Sequence, residues 1–332
     1  MALQSNEIQV MRFLKSEAGA MVIWLCASLL LAALLTPYLY DAGKAFAASA
    51  QANEYPAVME SVAKSAQKAK PDRYFSRCLL VSALLLLPFL IRRVKRIPDL
   101  GNRADFALRK QTWARRGAQL GTGLFIGVVA LGTLALLLHF TGASEPNGKS
   151  ISFSKILSKA LVPALGAGVI EEWVFRGLLL GLWLRACSAK TAWIGSSLMF
   201  SFLHFLKPPK GIEIADPYAW HAGLQILGST LGHFANPAFF VTEFATLTFL
   251  GMILAYSRIR SRSLCFAIGL HAGLVFALKT FSMTQTLNPD SPLHPWFIGT
   301  DLKSGMLPLA ALSICMIATV FCLRRLTEPE TS

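Results

Sequence analysis

The chain has 332 residues, 54% of them hydrophobic and 15% charged, with a mean hydropathy of +0.51. A soluble core cannot hide that much apolar surface, so the composition excludes a soluble globular protein and places the chain in a bilayer. The net charge of +14 is not a nucleic-acid footprint, because the basic residues come in short runs beside apolar segments, as membrane-flanking charges do, and no nucleic-acid partner is expected.

Apolar windows of about 20 residues, enough to cross about 30 Å of hydrocarbon, fall near 19–40, 75–91, 118–140, 161–184, 191–206, 239–257, 263–281 and 305–323. The second and fifth are short. The expected fold is an all-α polytopic membrane helical bundle of about eight transmembrane helices, a single transmembrane domain over residues 1–332. Ala45-Phe46-Ala47 has the look of a signal cleavage site, but the apolar run before it is too long for a usual signal core and follows a polar lead with no compact basic start. The run is therefore expected to be the first anchored span.

The connection after the second span carries Arg92, Arg93, Lys95, Arg96, Arg109 and further cations against only Asp99 and Asp105. This marks it as cytoplasmic and puts both termini inside. Arg185 with Lys190, then Arg258, Arg260 and Arg262, then Arg324 and Arg325 land on the same side. Residues 41–74, rich in Ala, Gln, Lys and Glu, are expected as an extracytoplasmic helical loop. Residues 92–117 are expected as a basic amphipathic segment on the inner leaflet, where each cation near anionic lipid is worth about 1 kcal/mol. Residues 207–238, with Pro208-Pro209, Asp216-Pro217 and Asn236-Pro237, are expected as an irregular outer loop able to cap a cavity. No internal repeat is visible, which argues against inverted-repeat transporters. The six cysteines sit in or beside apolar segments without metal or disulfide spacing and are read as buried small hydrophobes.

Ionisable residues in the middle of a span cost about 2.5–3.5 kcal/mol each and are rare unless paired or functional. The fourth span reads Ala164-Leu-Gly-Ala-Gly-Val-Ile-Glu171-Glu172-Trp-Val-Phe-Arg176-Gly177. Adjacent helical residues point about 100° apart, so the two carboxylates cannot easily share one role. Glu172 and Arg176 face each other at i, i+4 and form an ion pair. Glu171 meets no cation of its own helix at that spacing, which suits a general base or acid. The fifth span ends with Phe200 and His204 on one face, and the seventh carries His271 between Gly269 and Gly273, small neighbours that let another helix approach the imidazole. Glu171, His204 and His271 from three helices are thus candidates to activate a water, stabilise an oxyanion or bind a metal. By contrast, His139, His221, His233 and His294 fall at interfaces or in loops, and Glu243 and Lys279 lie near span ends. Signatures of soluble proteases such as HExxH and GxSxG are missing, and no span holds a midmembrane Asp.

This ordered set resembles the CAAX-protease and bacteriocin-processing (CPBP) family, glutamic-type intramembrane proteases that include the Ras-converting CAAX endopeptidases. EExxxR stands at Glu171–Arg176, FxxxH at Phe200–His204 and the final His motif at His271, so the resemblance covers a catalytic core of roughly residues 155–280. It implies an eight-helix fold with a polar cavity in which Glu171 and His204 polarise a water for attack on a peptide carbonyl. It further implies that Glu172 and Arg176 organise the site and that His271 holds the oxyanion. One departure stands out: the family usually has Asn or a similar polar residue four positions after the last histidine, where this chain has Val275. Losing one oxyanion donor costs about 3–4 kcal/mol of transition-state stabilisation if nothing replaces it.

The function expected on this basis is an endopeptidase acting on a membrane-associated protein or peptide, lipidated or bearing a sorting signal, in a bacterial inner membrane. Its partners are membrane lipid and that substrate. No cofactor is required; a zinc-dependent version would use Glu171, His204 and His271 as ligands. A non-catalytic binding, immunity or sorting factor on the same fold and a proton-coupled transporter remain the alternatives.

Overall fold

The computed structural model describes residues 16–52, 56–96, 106–206, 208, 212–232, 234, 243–294, 296–299 and 301–327. His233, Asp99, Asp105, Pro209 and Asn236-Pro237 lie outside them. The chain is an all-α membrane protein whose helices are α1 (Glu17–Ala52), α2 (Ala57–Lys68), α3 (Pro71–Lys95), α4 (Trp113–Phe140), α5 (Phe153–Arg185), α6 (Ala189–His204), α7 (Ala222–Gly232), α8 (Ala245–Ser261), α9 (Cys265–Thr284) and α10 (Met306–Thr327). Among the described residues six of these, α1, α3, α4, α5, α9 and α10, are long and apolar enough to cross a membrane. Among the described residues each expected span overlaps a helix. However, α6 and α8 have 16 and 17 residues, about 24–26 Å of rise, which falls short of the hydrocarbon thickness.

The structure falls into two compact units, residues 1–98 with 203–236 and residues 99–202 with 237–332. In the first unit α1 packs along α3, with Trp24 Nε1 donating across to the Ala83 carbonyl at 3.1 Å. The segment expected as an irregular outer loop contains α7, which is too short to register as a span. Its Gly223 meets the Ala33 backbone so closely that a Cβ there would overlap it, and Ile226 is buried with Ala32, Ala33 and Phe75.

In the second unit α4 and α9 are interleaved through glycines. Gly123 and Gly127 of α4 lie against the Phe266 and Leu270 carbonyls, while Gly269 and Gly273 of α9 lie against those of Leu120 and Leu124, and none of the four has room for a Cβ. Small residues allow this backbone approach where lipid supplies no hydrophobic drive between helices. On the other side of α9, Gly168 of α5 sits 3.0 Å from the Ile268 carbonyl and 3.2 Å from Ala272 Cβ, measured from an added Cβ. Two short strands, β1 (Ser144–Pro146) and β2 (Gln285–Leu287), pair antiparallel and tie the ends of α4 and α9. α5 contains two wide-turned π-helical stretches, Leu157–Leu161 and Trp173–Leu179. Pro163 follows the first, and its ring excludes the carbonyl four residues back, at Lys159.

Two further expectations change. Residues 107–112, in the segment expected to be amphipathic, form no helix but run irregularly across the end of α8, with the Arg109 N–H donating to the Arg262 carbonyl at 3.0 Å. Of the cysteines only Cys78 and Cys315 are buried, and Cys26 is exposed.

Candidate active site

The second unit brings together Glu171, Glu172, Arg176 and His271. Glu172 closes the α-helical part of α5, and Arg176 lies in the π-helical stretch that follows, a deviation often found at functional sites. Arg176 Nη1 donates to Glu172 Oε1 at 2.9 Å, and both side chains are almost wholly buried. His271 Nδ1 is 2.7 Å from the same oxygen. A carboxylate only accepts, so Nδ1 carries the hydrogen and the imidazole is oriented by Glu172. His271 Nε2 is thereby turned towards Glu171 Oε2, at 3.8 Å. The two adjacent carboxylates differ in access as well as in partners: the Glu171 side chain is 29% exposed and that of Glu172 0%.

Around this pair the guanidinium of Arg176 lies over the Phe200 ring, 4.2 Å from its centroid, and Nη2 donates to the Gly251 carbonyl at 3.3 Å. Phe200 is fully buried, meets Phe175 edge-on at 4.9 Å and approaches the His271 ring at 6.3 Å. A desolvated cation over an aromatic face is worth about 2 kcal/mol. The buried charge is therefore met on three sides: by a carboxylate, a carbonyl and a ring. Gly251 has its place because an added Cβ would stand 3.1 Å from Ser197, so α8 passes tightly against α6. Trp193 Nε1 donating to the Met252 carbonyl at 2.7 Å and Thr248 donating to Ser201 at 2.9 Å fix the same pair of helices.

Sequence reading paired Glu172 with Arg176 correctly but missed three things: the Glu172–His271 bond, the Gly251 carbonyl and the Phe200 ring as the seat of Arg176. Phe200 in FxxxH was the available signal. The glycines flanking His271 do not serve the imidazole: two residues along a helix is a 200° turn, so Gly269 and Gly273 face α4 while His271 faces α5. His204 is the last residue of α6, one turn beyond Phe200, and belongs to the first unit. Val275 stands one turn after His271 in α9 and is partly buried. Among the described residues no group of three or more His, Cys, Asp and Glu side chains is placed to hold a metal ion.

Residues 153–277 match the model of a family described as type II CAAX prenyl endopeptidase Rce1-like. Over this segment, well under half of the 332 residues, the chain is similar to the CAAX protease family. The match runs from the start of α5 through His271, and every residue of the site just described lies within it, as does His204. The CAAX protease family is a peptidase family. No curated protein and no solved structure gives a match.

Proposed function

We propose that the chain is an intramembrane endopeptidase that cleaves a membrane-associated protein or peptide, lipidated or carrying a sorting signal, by water activated at Glu171 and His204. The observation that carries this reading is the division of labour between the two carboxylates. Glu172 is committed to Arg176 and His271, while Glu171 is the more exposed one and faces His271 Nε2. In the proposed step Glu171, with His204, takes a proton from water as its oxygen bonds to the scissile carbonyl carbon. His271, held through Nδ1, donates from Nε2 to the oxyanion in its imidazolium form. Collapse of the tetrahedral intermediate breaks the C–N bond, and the proton returns to the leaving amine. The favoured setting is a bacterial inner membrane.

Quantitative terminal proteomics on membranes carrying wild-type chain or Glu171→Gln at equal expression tests this. Uncut precursors that accumulate in the variant name the substrate; an unchanged set of termini overturns the reading. Chelator sensitivity together with stoichiometric zinc would replace it with a metal version on Glu171, His204 and His271. A binding or immunity factor on the same fold is favoured by Val275 alone and predicts an intact cellular phenotype in Glu171→Gln.

A further inference from the structure

In the second unit, away from the site residues, a cavity of about 500 Å³ is lined by Arg109, Lys110, Gln111, Arg115, Arg260, Ser261 and Arg262. Five of these seven residues are cationic, and neither residues 106–117 nor 257–265 contain an Asp or Glu. The cavity is built rather than incidental. The Arg109 N–H donates to the Arg262 carbonyl at 3.0 Å, Gln111 Nε2 to the Ser261 carbonyl at 3.0 Å, and Arg115 Nε to the Leu326 carbonyl at 3.0 Å. Arg262 caps α8 in the left-handed region, at φ 52°, the one non-glycine to do so among the described residues. Yet the side chains of Arg109, Lys110, Arg260 and Arg262 make no hydrogen bond or ion pair among the described residues. Arg258, one turn before Arg262, adds a further like charge, and its buried Nε and Nη1 have no hydrogen-bond partner among the described residues.

Like charges gathered around one hollow repel each other, and no ion pair among the described residues offsets that repulsion. The volume is that of a small-molecule site, and the position is the membrane–water boundary: Arg115 sits in the first turn of α4, Arg260 in the last turn of α8, and Arg262 caps α8. Basic pockets at such boundaries bind phosphate head groups. We propose that this cavity binds the phosphate head group of an anionic membrane phospholipid. The site is separate from the proposed proteolysis and stands or falls without it.

The test is native mass spectrometry of the full-length chain from micelles doped with dioleoylphosphatidylglycerol or with dioleoylphosphatidylcholine. The wild-type chain is expected to retain the anionic lipid selectively, and the variant Arg109→Gln/Lys110→Gln/Arg260→Gln to lose about a hundredfold in that affinity, at roughly fivefold per charge. Arg109→Lys/Arg260→Lys should keep most of it, and melting in phosphatidylcholine micelles should match wild type in both variants, which separates lost binding from lost folding. Undiminished retention in the triple variant overturns the proposal. Displacement of the lipid by excess inorganic phosphate, with phosphate itself retained, overturns the lipid as the source of the anion. Retention seen only after deletion of residues 328–332 overturns it too, assigning the cavity to Glu328 and Glu330.

Discussion

A single arginine and a cluster of cationic residues in the second unit solve opposite problems. Arg176 is buried inside the helices and fully answered: Glu172 Oε1 at 2.9 Å, the Gly251 carbonyl at 3.3 Å and the Phe200 ring beneath it. Arg109, Lys110, Arg260 and Arg262 surround a cavity with no carboxylate lining it among the described residues. Removing a charge from water costs several kcal/mol, so Arg176 persists because a carboxylate, a carbonyl and a ring meet it, and the same carboxylate holds His271 as well. The second group keeps access to solvent and so tolerates bare charge, at the expense of mutual repulsion. Internal compensation marks the site that must hold one geometry. Missing compensation marks the one left for a ligand.

The comparison is broken most severely at Glu171. Replacing it by Gln removes the proposed base while leaving Glu172, Arg176 and His271 in place, and peptide hydrolysis by the purified chain should fall by about 10²–10⁴-fold with unchanged melting. Next comes the buried pair itself. Arg176→Met strands Glu172 in a dry interior and should destabilise the chain by about 3–5 kcal/mol, whereas Glu172→Gln/Arg176→Met removes both charges and should recover a good part of that loss. Melting of the two variants in the same micelles decides it; an additive loss in the double variant would show that the two residues act separately. A smaller effect is expected from Gly273→Val, whose branches would overlap the Leu124 carbonyl and push α4 from α9, at about 1–3 kcal/mol. Smallest is Lys110→Gln, which should change stability in zwitterionic micelles by no more than about 0.5 kcal/mol, because its charge has no partner among the described residues.

Much of the site was legible in the chain. Helical spacing alone pairs Glu172 with Arg176, and the cost of midspan charge singles out Glu171 and His271. Which of two adjacent carboxylates holds His271 was not legible, since the partners are 99 residues apart and a 100° difference in direction has no meaning until a neighbouring helix supplies a reference. Phe200 was visible only as a spacing to His204, because an aromatic in a membrane helix is ordinarily packing. The glycines beside His271 were read as room for the imidazole, when the 200° between neighbours already placed them on the other face. Helix α7 was hidden by its length: 11 residues give too little periodicity to stand out between prolines.

The grip on α9 from both sides removes its freedom to move. Gly269 and Gly273 are locked against α4, Ala272 against Gly168, and His271 is tied to Glu172. Sliding by one residue or turning by one notch would break all three attachments at once. His271 therefore stands at a set depth, six residues or about 9 Å along the helix axis from Cys265. A polypeptide cut here would be measured against a fixed post. Its cleavage position would then be counted in ångströms from the membrane surface rather than read from its side chains.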